Sequence, residues 1–195
     1  AKLEIIHLDL MDLSSVRKFA EVFKSKYQKL NILVNNAGIM VPPFGKTVDG
    51  FESQMGVNYF AHFLLTNLLF DELDETLNSR VVCLSSIAHK RAKIDFDNLN
   101  SEKNYNKVNA YSQSKLACLI FAFELQKRCK EVGSNIEVIA VHPGVANTNL
   151  FQFLPKFFQS IFSSMAAFFF NTRENAAQPS LYAALSPDAK GGKYY

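Results

Sequence analysis

With 195 residues, 48% of them hydrophobic and 20% charged, the chain carries enough apolar material for one domain with a buried core, which excludes a disordered segment. Its formal charge of +3, from 21 Lys+Arg against 18 Asp+Glu, is small and scattered, so it makes no nucleic-acid footprint. Cys83, Cys118 and Cys129 have no CxxC spacing, so they point to buried thiols in a reducing compartment rather than a disulfide framework or a zinc site.

In chain order, Leu3-Glu4-Ile5-Ile6-His7-Leu8 is a β-branched run that stops at Asp9 and predicts a strand. Val16, Phe19, Ala20 and Phe23 recur at i, i+3, i+4 and i+7, and Asp12 or Ser14 can cap the helix they predict. Ile32-Leu33-Val34 is too short for a helix and ends in Asn35-Asn36-Ala37-Gly38, a buried strand with a turn behind it. A long, mostly apolar helix is expected from Asp49 to about Leu73. Val81 to Leu84 is an apolar strand closed by Ser85-Ser86. A polar loop from Asp95 to Asn109 leads into a helix over Ala110 to about Val132, with Leu116, Leu119, Ile120 and Phe123 on one face. Ile136 to Val141 is a strand closed by His142-Pro143-Gly144. A Phe-rich helical stretch over 156–170 precedes a last helix, Arg173 to Leu185, and a Gly191-Gly192 turn.

Strands apolar on both faces, separated by helices, predict a parallel sheet covered on both sides. In such α/β folds ligands bind at the carboxyl ends of the strands. Polar or glycine-bearing clusters fall there: Asp9-Leu10, Asn35 to Gly38, Ser85-Ser86, and Pro143-Gly144 with Thr148. Asn58 and the pair Tyr111/Lys115 sit on the helices that follow. Tyr-x-x-x-Lys puts both side chains on one helical face, about 5–6 Å apart at their β-carbons. A free Tyr has a pKa of about 10, and an ammonium beside it favours phenolate, so such a phenol can exchange a proton with an alcohol or carbonyl oxygen. Ser86 can hydrogen-bond the same oxygen. Alone, a Tyr-x-x-x-Lys is an ordinary surface pair and Ser-Ser is ordinary turn chemistry. It is their joint order that points to a site. The four histidines, His7, His62, His89 and His142, are too dispersed for a metal centre and read as packing or framework residues.

The ordered set Asn35-Asn36-Ala37-Gly38, Asn58, Ser86, Tyr111-Ser112-Gln113-Ser114-Lys115 and His142-Pro143-Gly144 resembles the short-chain dehydrogenase/reductase family. Asp49-Gly50-Phe51-Glu52, the run Val57 to Thr66 and Leu84-Ser85-Ser86-Ile87-Ala88-His89 resemble its retinol dehydrogenase branch. The resemblance implies a Rossmann-like, doubly wound, three-layer α/β fold. It implies a tetrad of Asn58, Ser86, Tyr111 and Lys115. Tyr111 is then the general acid/base, Ser86 orients the substrate oxygen, and Lys115 holds the nicotinamide ribose and lowers the Tyr111 pKa. Asn58 bends its helix around a water that relays protons through Lys115. For the cofactor, NADP or NAD with NADP favoured, the resemblance implies Asp9 on the adenine with Leu10 beside it, and Asn36, Ala37 and Gly38 along the adenosine side. Pro143, Gly144, Val145 and Thr148 border the nicotinamide carboxamide and a pyrophosphate oxygen. The reaction implied is reversible hydride transfer to or from a lipophilic alcohol, aldehyde or ketone such as a retinoid or steroid.

The chain starts at Ala1 without a Met and lacks the family's opening strand, glycine-rich turn, and second strand and helix. It therefore reads as one truncated domain, 1–195, with an incomplete sheet, and as a piece of a longer protein. Alone it is expected to bind dinucleotide weakly, because the missing turn carries the pyrophosphate. A non-catalytic truncated form or pseudoenzyme is the alternative. An epimerase or dehydratase can share Tyr-x-x-x-Lys but does not fit Asn-Asn-Ala-Gly. No segment has the ~18 apolar residues of a membrane span. The Phe-rich 151–172 stretch is expected to cover the core or to form a substrate lid with membrane-surface contact. Homo-oligomerisation and an endoplasmic-reticulum-associated or cytoplasmic location follow from the family resemblance.

Overall fold

Apolar residues at every position of a short strand leave it no choice but burial on both faces. β2 (Arg80–Leu84) and β3 (Glu137–Val141) obey this beyond their first residues, whereas in β1 (Ile32–Asn35) only Asn35 is buried; the three pair in parallel in the order β1-β2-β3, with Leu33 opposite Val81 and Val81 opposite Val138. The computed structural model describes residues 2–144 and 173–195. Along β2 the period-2 rule splits the side chains between two cores. Val81 and Cys83 join Val138, Ala140, Leu119, Phe121 and Ala122 on one face, while Val82 and Leu84 join Ile139, Val141, Ala183, Ala184 and Ala189 on the other.

The first face is covered by α1 (Leu13–Lys26), α3 (Ala61–Leu68) and α5 (Lys107–Glu131), the second by α6 (Arg173–Leu185). α1 starts where the Asp12 carboxylate accepts the Ser14 N–H at 2.8 Å. Its Val16 and Ala20 pack on Val57, Ala61 and Leu65. α5 starts three residues before the expected Ala110, because the Asn106 side chain caps it by accepting the N–H groups of Val108 and Asn109, both at 3.0 Å. Its buried face is built from Ala117, Cys118, Leu119, Phe121 and Ala122, whereas Ile120 and Phe123 of the expected stripe are nearly half exposed. Small side chains let this helix lie close to the sheet. α6 has the expected bounds. Arg80 joins it to the sheet, donating to the carbonyls of Ala183 and Ser186 at 3.0 and 2.8 Å while pairing with Glu137 at 3.3 Å.

Two expected elements differ. The single helix over 49–73 is four pieces: α2 (Ser53–Met55), a π-turn (Gly56–Phe60), α3 and α4 (Phe70–Asp74). Glu52 caps the start, accepting from Gln54 and Met55 backbone N–H groups, and Leu69 at φ −103° breaks α3 from α4. Leu3 to Leu8 is not a strand. Leu3 and Ile5 are 93% and 96% exposed, Glu4 bonds to Lys26 and Tyr27 at the far end of α1, and Leu8 and Leu10 enter the α1–α3 core. The segment thus runs along α1, mostly exposed and unpaired with any described strand. Among the described residues, the outer edge of β1 has no strand beside it. The opposite edge, on β3, is met by the C-terminal residues: Ala140 pairs in parallel with Tyr194, and His142 donates its N–H to the Tyr195 carbonyl at 2.8 Å.

Candidate active site

The carboxyl ends of parallel strands deliver their polar residues to one edge. β1 ends in Asn35 and continues through residues 36–39; β2 ends at Leu84 and continues through Ser85 and Ser86; β3 ends at Val141, before Pro143 and Gly144. Beneath them pass the π-turn with Asn58 and the first turns of α5 with Tyr111 and Lys115.

Asn58, 1% exposed, is the joint between these parts. Its Oδ1 accepts the Ile39 N–H at 2.9 Å, and its Nδ2 donates to the Ile39 carbonyl at 3.0 Å and to Ser114 Oγ at 2.9 Å. Ser114 in turn donates to the Tyr111 carbonyl at 2.8 Å. One amide therefore ties the loop after β1 to the helix that carries the Tyr/Lys pair. Gly38 is required by this closeness: a Cβ there would stand 2.9 Å from Asn58 Oδ1 and 3.6 Å from Lys115 Nζ. Ser114 went unnoticed as a site residue, since a serine between Tyr111 and Lys115 carries no signal until Asn58 is placed against it.

Lys115 is buried and donates to the Leu84 carbonyl at 3.0 Å, with Nζ 5.9 Å from the centre of the Tyr111 ring. Ser85 fixes the same residue from behind by donating to its carbonyl at 2.7 Å. Burial pushes the Lys115 ammonium pKa down. The Ser86 hydroxyl reaches the Tyr111 phenol and favours its ionised form, but burial is the larger effect, and Tyr111 stands above its ordinary value. This corrects the expectation that Lys115 would make the phenol acidic here. Desolvation of the buried phenol outweighs the pull of the Ser86 hydroxyl, and the ammonium is itself engaged with a carbonyl. Ser86 opens a 3₁₀ turn (Ile87–Arg91), where its Oγ accepts the Ala88 N–H at 3.3 Å and His89 Nδ1 lies 2.6 Å from its carbonyl.

The expected cofactor contacts fall into three groups. Asn36, Ala37 and Gly38 form an exposed to half-buried ledge at the carboxyl edge, and Pro143 and Gly144, the latter at φ +74°, follow β3 on the same edge. Asp9 is exposed, its Oδ1 accepting the Met11 N–H at 2.8 Å, while Leu10 is part of the α1–α3 core and presents little surface. Val145, Thr148 and the Phe-rich 151–172 stretch lie outside the described residues. No group of three or more His, Cys, Asp or Glu able to hold a metal ion occurs among the described residues, and no helix there is long and apolar enough to cross a membrane.

A family model for short chain dehydrogenases matches residues 1–157. Retinol dehydrogenase 14 of Mus musculus is 43% identical over 198 residues, covering 100% of this chain and 59% of that protein. Polyprenol dehydrogenase of Homo sapiens is 39% identical over 199 residues, covering 100% of this chain and 60% of that protein. The chain thus spans about three-fifths of the length of these curated relatives. The crystal structure of an uncharacterized protein from Mycobacterium Paratuberculosis superposes with a TM-score of 0.77 at 42% identity, over 98% of this chain and 61% of that one.

Proposed function

The chain belongs to the short-chain dehydrogenase family, and from that premise we propose that it carries the catalytic part of an oxidoreductase passing a hydride between NADP or NAD and a lipophilic alcohol, aldehyde or ketone. The observation that carries the reading is the convergence of the Tyr111 phenol, the Ser86 hydroxyl and the Lys115 ammonium at the carboxyl edge of the sheet, braced by Asn58. The edge also fits a flat ring and its ribose. Gly38 offers a backbone surface where a Cβ would collide with Asn58, three to four ångströms from the lysine ammonium.

The nicotinamide, when bound, supplies or accepts the hydride at its C4 carbon. The rest is the work of this chain. Ser86 donates to the substrate oxygen and sets its distance from the phenol. Tyr111, protonated at neutral pH because burial raises its pKa, gives its proton to that oxygen as a carbonyl is reduced, and takes it back in the reverse direction. The Lys115 ammonium, 5.9 Å from the Tyr111 ring centre, would offer donors to a ribose. Asn36, Ala37, Gly38, Pro143, Gly144, Val145 and Thr148 would hold the cofactor, with Asp9 toward its adenine and Leu10 packing behind Asp9. A lipophilic substrate is supported by the names of the relatives, retinol and polyprenol dehydrogenases, and by the abundance of Phe in 151–172, which would form the lid and the contact with a membrane surface. An endoplasmic-reticulum-associated or cytoplasmic location and a homo-oligomeric state complete the reading.

The open edge of β1 favours a second reading for the 195-residue chain by itself, a non-catalytic form that holds dinucleotide too weakly to turn over. The two separate in one experiment: retinal and saturating NADPH are mixed with the chain, and nicotinamide oxidation is followed optically. Turnover that disappears in Tyr111→Phe supports the oxidoreductase. Turnover that survives that substitution removes Tyr111 from the mechanism, and no turnover with the native chain favours the non-catalytic form.

A further inference from the structure

Asn58 lies in the π-turn at Gly56–Phe60, and two side chains meet its carbonyl. His62 Nδ1, one turn further on, lies 3.0 Å from it, and the Cys118 thiol, three residues beyond Lys115 on α5, donates at 3.1 Å. His62 is only 7% exposed. Its ring lines a void of about 10 Å³, room for one water, together with Asn35, Asn58, Cys83 and Cys118. Asn35 Oδ1 is buried there without a partner, while Asn35 Nδ2 donates to Thr66, which donates to the His62 carbonyl. A polar chain Asn35–Thr66–His62–Asn58 thus runs through an otherwise apolar layer and ends on the residue that braces the Tyr/Lys pair.

We propose that His62 is a positioning residue for Asn58: a neutral imidazole with its proton on Nδ1, it donates to the Asn58 carbonyl and, with Cys118, fixes the bulge that aims the Asn58 amide at Ile39 and Ser114. A carbonyl can only accept, so the proton must sit on Nδ1, which leaves Nε2 as an acceptor. Burial, with the Lys115 charge nearby, pushes His62 down to about 4, so the ring stays neutral under working conditions. The helix repeats the device with other residues: Thr66 donates to the carbonyl of His62, and Asn67 Nδ2 to that of Phe63 at 2.7 Å, each four residues back. An Asn at 62 can therefore replace the imidazole, and a Phe of similar volume cannot.

The bearing of this on catalysis rests on the oxidoreductase reading, and the experiment separates the two. Nitrogen-15 spectra of the histidine rings and asparagine amides are recorded on the native 195-residue chain, His62→Phe and His62→Asn. The proton is expected on Nδ1 of His62 at neutral pH, with the Asn58 amide resonance moved in His62→Phe and returned in His62→Asn. A proton on Nε2, or an Asn58 resonance untouched by His62→Phe, overturns the proposal. Where turnover is measured, kcat falls about tenfold or more in His62→Phe at little-changed KM and recovers to within about threefold in His62→Asn. If the native chain shows no turnover, the oxidoreductase reading fails and the resonance data still decide the role of His62. If His62→Phe does not fold, the native tautomer and the Asn variant decide it.

Discussion

At Tyr111 two forces act on one phenol. Removal from water favours the neutral form and the Ser86 hydroxyl favours the phenolate, with the first in control. A group held protonated is a ready acid and a reluctant base, so alcohol oxidation should accelerate as pH rises from about 7 to about 9, while carbonyl reduction should not. Initial rates in both directions across that range test this, and an oxidation rate flat with pH would contradict it. Tyr111→Phe keeps the ring and removes the proton, so turnover should drop by about 10³-fold or more with dinucleotide affinity nearly unchanged; calorimetric titration and steady-state rates read the two separately. His62 yields a prediction about stability. It titrates near 4 in the fold against an ordinary 6.5. Between those values the unfolded chain binds the proton and the folded chain does not, so stability rises with pH through that window and is complete above it. The contribution is on the order of 3 kcal/mol. Urea midpoints at about pH 4.5 and about pH 7 should differ in the native chain and draw together in His62→Asn. Tyr111, Lys115, Ser86 and Asn58 were legible as a set from their order along the chain. The direction of the Tyr111 shift was not, because desolvation depends on what surrounds the ring, and spacing says nothing of that. His62 read only as a packing or framework residue, because its partner here is a backbone carbonyl that the sequence cannot point to.

Among the elements, the strands were easy to read and the helix over 49–73 was not. Val81 to Leu84 is apolar throughout and has no place except between two helical layers. A π-turn, by contrast, leaves the apolar pattern of a helix almost intact, and what marks it is the set of side-chain bonds at Asn58, made to residues far away in sequence. Leu3 to Leu8 has the composition of a strand but no neighbour to pair with, and composition cannot supply one. The contact between the loop after β1 and the π-turn gives a sharp test. In Gly38→Ala the new methyl would press on Asn58 Oδ1 at 2.9 Å, an atom already committed to the Ile39 N–H. The amide must then swing off Ile39 or the loop must lift. Overpacking of this kind costs about 1–3 kcal/mol. Chemical denaturation should show that loss together with a fall in turnover, and a variant as stable and active as the native chain would mean the loop gives way freely.

For the whole molecule, the sheet has one covered and one open edge among its described strands. The open one lies along β1, where Val34 is 41% exposed. Along that flank, among the described residues, no glycine-rich turn stands beside Asn36, Ala37 and Gly38 to meet a pyrophosphate. The 195-residue chain should therefore bind NADPH more weakly than about 100 μM, a range set by losing several hydrogen bonds to a charged group. Titration followed by cofactor fluorescence measures it, and saturation at low micromolar concentration would show that the turn is dispensable. The covered edge has a different consequence. Backbone bonds from Lys193 and Tyr195 reach Ala140 and His142, the residues leading into Pro143 and Gly144. Residues 193–195 thus act as a splint beneath the loop that the proposed reading sets against the nicotinamide, and disturbing them is expected to weaken cofactor binding before it alters the chemistry at Tyr111.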